Sequence, residues 1–168
     1  GHLVTARRND CRGTTFIGIT GSHGKTTSTA LLGKLLANAA PTLTRPGRNF
    51  GDAAARTVMR TLPWQHRFCV QELGATGPGT LDCLLDVLRP SVGILTAISS
   101  DHRANFRTRE ATLAEKAKLV CRLPSDGLAI LNADDPLVAP VEHECFCRVV
   151  KFGRAEGADL RLVGALSN

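Results

Sequence analysis

The sequence predicts an α/β protein with a mostly parallel sheet and helices on both faces, and three observations lead there. Apolar runs of strand length alternate with segments whose apolar residues recur at helical spacing, from residue 14 to residue 152. The first apolar run ends in a glycine-containing turn that opens directly into a helix. Polar residues gather where later runs end, as they do where a parallel sheet presents the carboxyl ends of its strands.

Taken in order, residues 14–20 (TTFIGIT) read as the first strand and residues 26–39 as the first helix, which Pro41 closes. Residues 42–50 contain Pro46, Gly47 and no long apolar run, so they read as a connection, followed by a helix over 51–62. Residues 67–73 (RFCVQEL) form a buried strand whose end presents Glu72, and 74–79 a turn. A short helix over 80–88 stops at Arg89-Pro90, before a strand over 91–98 (SVGILTAI). A polar loop over 99–109 holds Asp101 and His102, and a helix with a charged face covers 110–122. Residues 128–131 form a strand, 132–136 (NADDP) a polar turn, and 148–152 one further strand. The last sixteen residues carry no clear signal.

A length of 168 residues fits one domain with a single core. Hydrophobic residues at 43% and charged residues at 21% exclude a disordered or fibrous chain. The net charge of +6 favours anionic partners. The arginines are scattered, however, and one Trp with six Phe cannot furnish the stacking platforms of a nucleic-acid groove, so nucleotide-sized ligands fit better. No apolar run approaches the roughly 20 residues that cross a bilayer, and the first ten lack the apolar stretch of a secretory signal, so the expected compartment is the cytoplasm. Six cysteines without a C-x-x-C pair read as reduced thiols. Residues 143–147 (HECFC) offer soft metal ligands, but no second cluster completes a tetrahedral zinc site, and they read as strand.

The turn after the first strand is Gly21-Ser22-His23-Gly24-Lys25-Thr26-Thr27. Glycines let the backbone curl and turn its amides toward an anion, and the helix amino terminus adds positive potential. Lys25 can reach the β and γ phosphates of ATP, and a threonine hydroxyl can ligate Mg²⁺. The pattern G-x-x-x-x-G-K-[ST] wants glycine at position 19, where this chain has Ile19, so the phosphate loop is a variant. Glu72, at a later strand end, is a candidate hard oxygen ligand for Mg²⁺, directly or through water. His102 and Asn132 follow two other strands toward the same region.

Five segments in this order and spacing resemble the central ATP-binding domain of the Mur ligase family: GITGSHGKTT (18–27), QELG (71–74), AISSDH (97–102), AEK (114–116) and LAILNADDP (128–136). The resemblance spans residues 14–138. It implies an ATP-dependent ligase in which ATP phosphorylates a substrate carboxylate and an amine displaces the phosphate to form an amide, with bacterial cell-wall peptide synthesis as the setting. Lys25 and the loop amides would then stabilise the transferring phosphoryl group, and Thr26 with Glu72 would hold the first Mg²⁺, assisted by Thr27. By the same resemblance His102 helps to place a second Mg²⁺, Lys116 is the lysine that is carbamylated into a metal ligand in many members, and Asn132 lies near the adenine.

The resemblance also implies a nucleotide and a carboxylate-bearing small molecule as partners, with no nucleic acid and no membrane. Family members often carry paired asparagines in the substrate-contacting segment after the first helix, whereas this chain reads PGRNFGD over 46–52, which leaves the substrate open. Members also have an amino-terminal domain that binds the UDP part and a carboxyl-terminal domain that binds the amine. The expectation is a single central domain over 1–168 without those flanking domains. Two other classes stay open: a small-molecule kinase or nucleotide hydrolase sharing the loop, and a non-catalytic nucleotide-binding module that regulates a partner.

Overall fold

The computed structural model describes residues 1–47, 49–99, 106 and 108–164. Seven strands form one sheet in the order β2-β3-β1-β4-β5-β6-β7. They are β1 (Thr15–Thr20), β2 (Thr42–Arg45), β3 (Phe68–Glu72), β4 (Val92–Leu95), β5 (Leu128–Asn132), β6 (Arg148–Gly153) and β7 (Leu160–Arg161). Every neighbouring pair is parallel. The helices are α1 (His2–Asp10), α2 (Lys25–Ala37), α3 (Ala53–Arg60), α4 (Thr80–Leu88) and α5 (Arg109–Cys121), with a 3₁₀ turn over Ala139–Glu144.

Alternation along β1 divides the core. Phe16 joins Leu81, Leu88, Leu95 and Leu119 in the larger cluster, under α1, α3, α4 and α5. Ile17 and Ile19 turn the other way and pack with Val70, Leu32 and Leu36 under α2. Helices therefore lie on both faces, and each fully buried Leu or Phe contributes about 1.5–3 kcal/mol of transfer free energy.

Helix ends are fixed by polar groups remote in sequence. The amide N–H groups of Gly79 and Leu81, at the start of α4, donate to the buried carboxylate of Glu115 at 2.9 and 2.7 Å, so α5 caps α4. At the other end of α4, Arg8 of α1 donates from Nε to the Leu88 carbonyl and from Nη2 to that of Arg89, both at 2.6 Å. A cation is favourable there, where carbonyls lack helical partners.

Four expectations need correction. Residues 42–50 are not only a connection, because 42–45 form β2 at the sheet edge, where parallel pairing with β3 overrides the weak apolar pattern of TLTR. Residues 2–10 form a helix that local sequence does not announce, held by tertiary bonds such as those of Arg8. Residues 143–147 are not strand: the 3₁₀ turn runs to Glu144 and β6 begins at Arg148. Finally, the last sixteen residues contain the two-residue β7, which exists only through pairing with β6.

Candidate functional site

The loop read as the phosphate-binding candidate joins β1 to α2 at the carboxyl edge of the sheet. Gly21 has φ +149°, and a Cβ there would overlap the Thr96 hydroxyl, so the chain can turn this close to the segment after β4 only as glycine. Gly24, at φ 79°, is the residue before α2, which has no side-chain cap and no acidic residue in its first turn. The amides of that first turn have no helical acceptors, which makes the helix start an anion site by geometry.

The loop is held from behind. Ser22 N donates to the Ala97 carbonyl at 2.6 Å, Thr96 Oγ1 to the His23 carbonyl at 2.6 Å, and Ser99 N to Ser22 Oγ at 3.0 Å. Lys116, 2% exposed, donates from Nζ to the Gly21 carbonyl at 2.7 Å and to Ser22 Oγ at 3.3 Å. With these carbonyls turned toward the protein, His23, Gly24, Thr26 and Thr27 remain exposed. Lys25 is half-buried and bends back to the Ser22 carbonyl at 3.0 Å.

Glu72 is 1% exposed and is tied by three donors: Thr26 Oγ1 at 2.9 Å, Gly47 N at 2.5 Å and Asn49 Nδ2 at 2.6 Å. A buried carboxylate persists when its lone pairs are met in this way. The Thr26 and Glu72 oxygens stand apart by about the edge of a Mg²⁺ octahedron, roughly 2.9 Å for 2.0–2.1 Å ligand distances. Two hard oxygens side by side at an anion site fit Mg²⁺, which keeps waters and phosphate oxygens as its remaining ligands. Among the described residues no group of three or more His, Cys, Asp or Glu could hold a metal, so a closed all-protein cage is not built from them.

Asn132 ends β5 half-buried, its Oδ1 accepting from Asp134 N at 3.0 Å. His102 lies outside the described residues. Two lysines of α5 are separated: Lys116 faces the loop, whereas Lys118 pairs with Asp82 at 2.6 Å and Glu115 at 2.7 Å on the α4 side. Thus Gly21 to Thr27, Glu72 and Lys116 meet at one place. Sequence reasoning missed Gly47 and Asn49, which hold Glu72, Thr96, which holds the loop, and Asp135, which accepts from Ile98 N at 2.7 Å and links β4 to the turn after β5. Asn49, an isolated amide in a Pro- and Gly-containing stretch, was the available signal.

Two cavities lie at opposite ends of the strands. One of about 540 Å³ lies at the amino ends of the strands, beside Arg89, Ser91 and Asp126, away from the loop. The other, about 460 Å³, is lined by Gly47 and Asn49 and so adjoins Glu72.

Residues 19–166 match the family described as the Mur ligase middle domain. The chain is 33% identical over 150 residues to the UDP-N-acetylmuramoyl-tripeptide--D-alanyl-D-alanine ligase of Mycobacterium tuberculosis, covering 88% of this chain and 29% of that protein. The crystal structure of MurF from Acinetobacter baumannii superposes with a TM-score of 0.85 at 28% identity, over 94% of this chain and 34% of that one. MurF ligase from Thermotoga maritima, solved in complex with ADP, superposes with a TM-score of 0.79 at 27% identity, over 94% of this chain and 37% of that one. The chain therefore spans about a third of the length of the relatives that it matches.

Proposed function

The chain belongs to the Mur ligase family, as its middle domain, and from that premise we propose that it is the Mg-ATP-binding core of an amide-forming ligase. The observation that carries this reading is the Thr26 hydroxyl beside the buried Glu72 carboxylate, 2.9 Å away at the mouth of an uncapped helix start. The setting we propose is cell-wall peptide synthesis in the cytoplasm; no described helix is long and apolar enough to cross a membrane.

In the reaction, an oxygen of the acceptor carboxylate attacks the γ-phosphorus of ATP, the bond to the β–γ bridging oxygen breaks, and ADP leaves. An amine nitrogen then attacks the carbonyl carbon of the acyl phosphate. The C–O bond to phosphate breaks, the nitrogen loses a proton, and an amide and inorganic phosphate result. Lys25 and the amides at the start of α2 would face the charge that develops on the phosphoryl oxygens. Thr26 and Glu72 would hold Mg²⁺, whose contribution is Lewis-acid neutralisation of phosphate charge. Lys116 would fix the loop that presents those amides, and, if carbamylated, would add an oxygen ligand. Asn132 would lie beside the adenine, with His102 serving a second Mg²⁺. The UDP-bearing substrate and the amine would contact flanking domains in a longer protein.

Calorimetric titration with a non-hydrolysable ATP analogue tests this. Binding that requires both Mg²⁺ and Lys25 is expected, and equal affinity in the Lys25→Ala variant or without Mg²⁺ would sink the reading.

A further inference from the structure

We propose that the cavity at the amino ends of the strands binds an organic phosphate, at a site separate from the loop over 21–27. This inference stands apart from the ligase reading. The cavity, about 540 Å³, shares Arg8 and Arg89 with a smaller hollow of about 240 Å³, which Arg12 also lines. Arg122 lines the larger one. Four arginines thus meet from three parts of the chain: α1 with the residues just after it, the end of α4, and the end of α5. Among the described residues two acids, Asp86 and Asp126, line the same space, and Asp86 is taken by Arg122 at 2.5 Å. Among those residues no carboxylate forms an ion pair with Arg8, Arg12 or Arg89.

Arg8 is a fixed cation. Its Nε and Nη2 donate to the Leu88 and Arg89 carbonyls at 2.6 Å, and its guanidinium lies 3.9 Å from the centre of the Phe16 ring. The two N–H groups of Nη1 have no acceptor among the described residues. Burial, and after it the neighbouring Arg89 cation, push the Arg8 guanidinium below its ordinary value, and an anion beside both would relieve that repulsion. The dipole at the carboxyl end of α4 opposes an anion, but Arg8 already covers the Leu88 and Arg89 carbonyls there. Guanidinium forks match phosphate oxygens in pairs of parallel bonds, and a surplus of cations suits a dianion better than a single carboxylate. Leu85, Pro90 and Leu119 form an apolar part of the wall, so the ligand that fits carries a carbon body beside its phosphate. Ser91, before β4, lines the cavity, whereas Thr96, after β4, holds the loop over 21–27. Extended chain of that length spans roughly 16 Å at ~3.3 Å per residue, so a molecule filling this cavity does not compete with a nucleotide for the loop.

The test uses the whole chain, first alone and then with the Mg²⁺ complex of the ATP analogue in excess. Backbone and arginine side-chain signals are followed by heteronuclear NMR during titration with phenyl phosphate, inorganic phosphate and phenol. Phenyl phosphate should bind at least about five-fold more tightly than either of the others, with shifts at residues 8–12, 85–91 and 119–126 in both series. Arg12→Gln combined with Arg89→Gln, both at exposed positions, should weaken that binding at least about five-fold while the spectrum keeps its dispersion. Should the pair fail to fold, Arg12→Gln alone, which breaks no bond among the described residues, should still weaken it at least about two-fold. Phenol or inorganic phosphate binding as tightly as phenyl phosphate, no shifts at those residues, or wild-type affinity in the folded variants would overturn the site. Loss of every phenyl phosphate shift on adding the analogue would overturn it too, since the probe would then occupy the loop over 21–27. Failure of the analogue to bind counts against the ligase reading alone, because the first series tests the site without it.

Discussion

Lys116, in the middle of α5, donates to the carbonyl of Gly21 at 2.7 Å across 95 residues of chain. A buried lysine side chain thereby fixes the first peptide of the loop. Lys116→Met keeps the apolar stem and removes the donor, leaving the Gly21 carbonyl without this bond. The expected loss is about 1–3 kcal/mol of folding stability, together with weaker nucleotide binding. Urea denaturation and calorimetry on the same variant measure both; unchanged values for both would show that the bond does not order the loop.

Glu72 is read as a magnesium ligand through its charge, not only through its hydrogen bonds. In Glu72→Gln the side chain keeps its size but loses the charge, and an amide NH₂ meets the donors Thr26, Gly47 and Asn49. Mg²⁺ should then improve nucleotide affinity by less than about two-fold, against ten-fold or more in the wild type. Titrations with and without Mg²⁺ provide the comparison, and a Mg²⁺ effect of wild-type size in the variant refutes the assignment.

Gly21→Ala combines a strained φ with overlap on the Thr96 hydroxyl. The expected cost is about 2–4 kcal/mol, from backbone strain and overpacking together. Adding Thr96→Ala removes the overlapping oxygen and should recover part of that loss. Thermal unfolding of the single and double variants decides, and a double variant less stable than the sum of its parts contradicts the steric account.

Glu115 is expected to contribute to acid stability. Burial pushes its carboxyl upward, but the bonds from Lys118 and from the Leu81 and Gly79 amides outweigh burial and hold it below the usual glutamate range. Asp82 is likewise held low, chiefly by its hydrogen bond from Lys118, against a smaller opposing effect of burial. A depressed pKa means that the folded chain binds fewer protons than the unfolded chain once the pH falls to about 4.3, so stability is present above that pH and is lost as pH drops through the folded values. Glu115→Gln should flatten this part of the acid limb. Urea unfolding at about pH 6 and about pH 3.5 tests it, and an acid limb of the same steepness in the variant excludes Glu115 as its source.

The glycine turn between β1 and α2 and most helices were legible because their signals are local: glycines, Lys25 and Thr26 lie within seven residues, and apolar spacing marks the helix faces. The four-residue β2 was not, since TLTR becomes a strand only by pairing with β3. The helix over 2–10 was equally hidden, because its anchoring partners are carbonyls some 80 residues away.

The sequence by itself determined the alternation of strands and helices, and named the loop over 21–27, Glu72 and Lys116 as candidates. Tertiary structure alone separated Lys116 from Lys118, because two lysines two residues apart point to different sides of one helix, and only packing says which side meets the loop. It also brought Gly47 and Asn49 onto Glu72, and three arginines onto one cavity. Those contacts join segments whose separation along the chain carries no local pattern, so they exist only once the sheet has set its strand order.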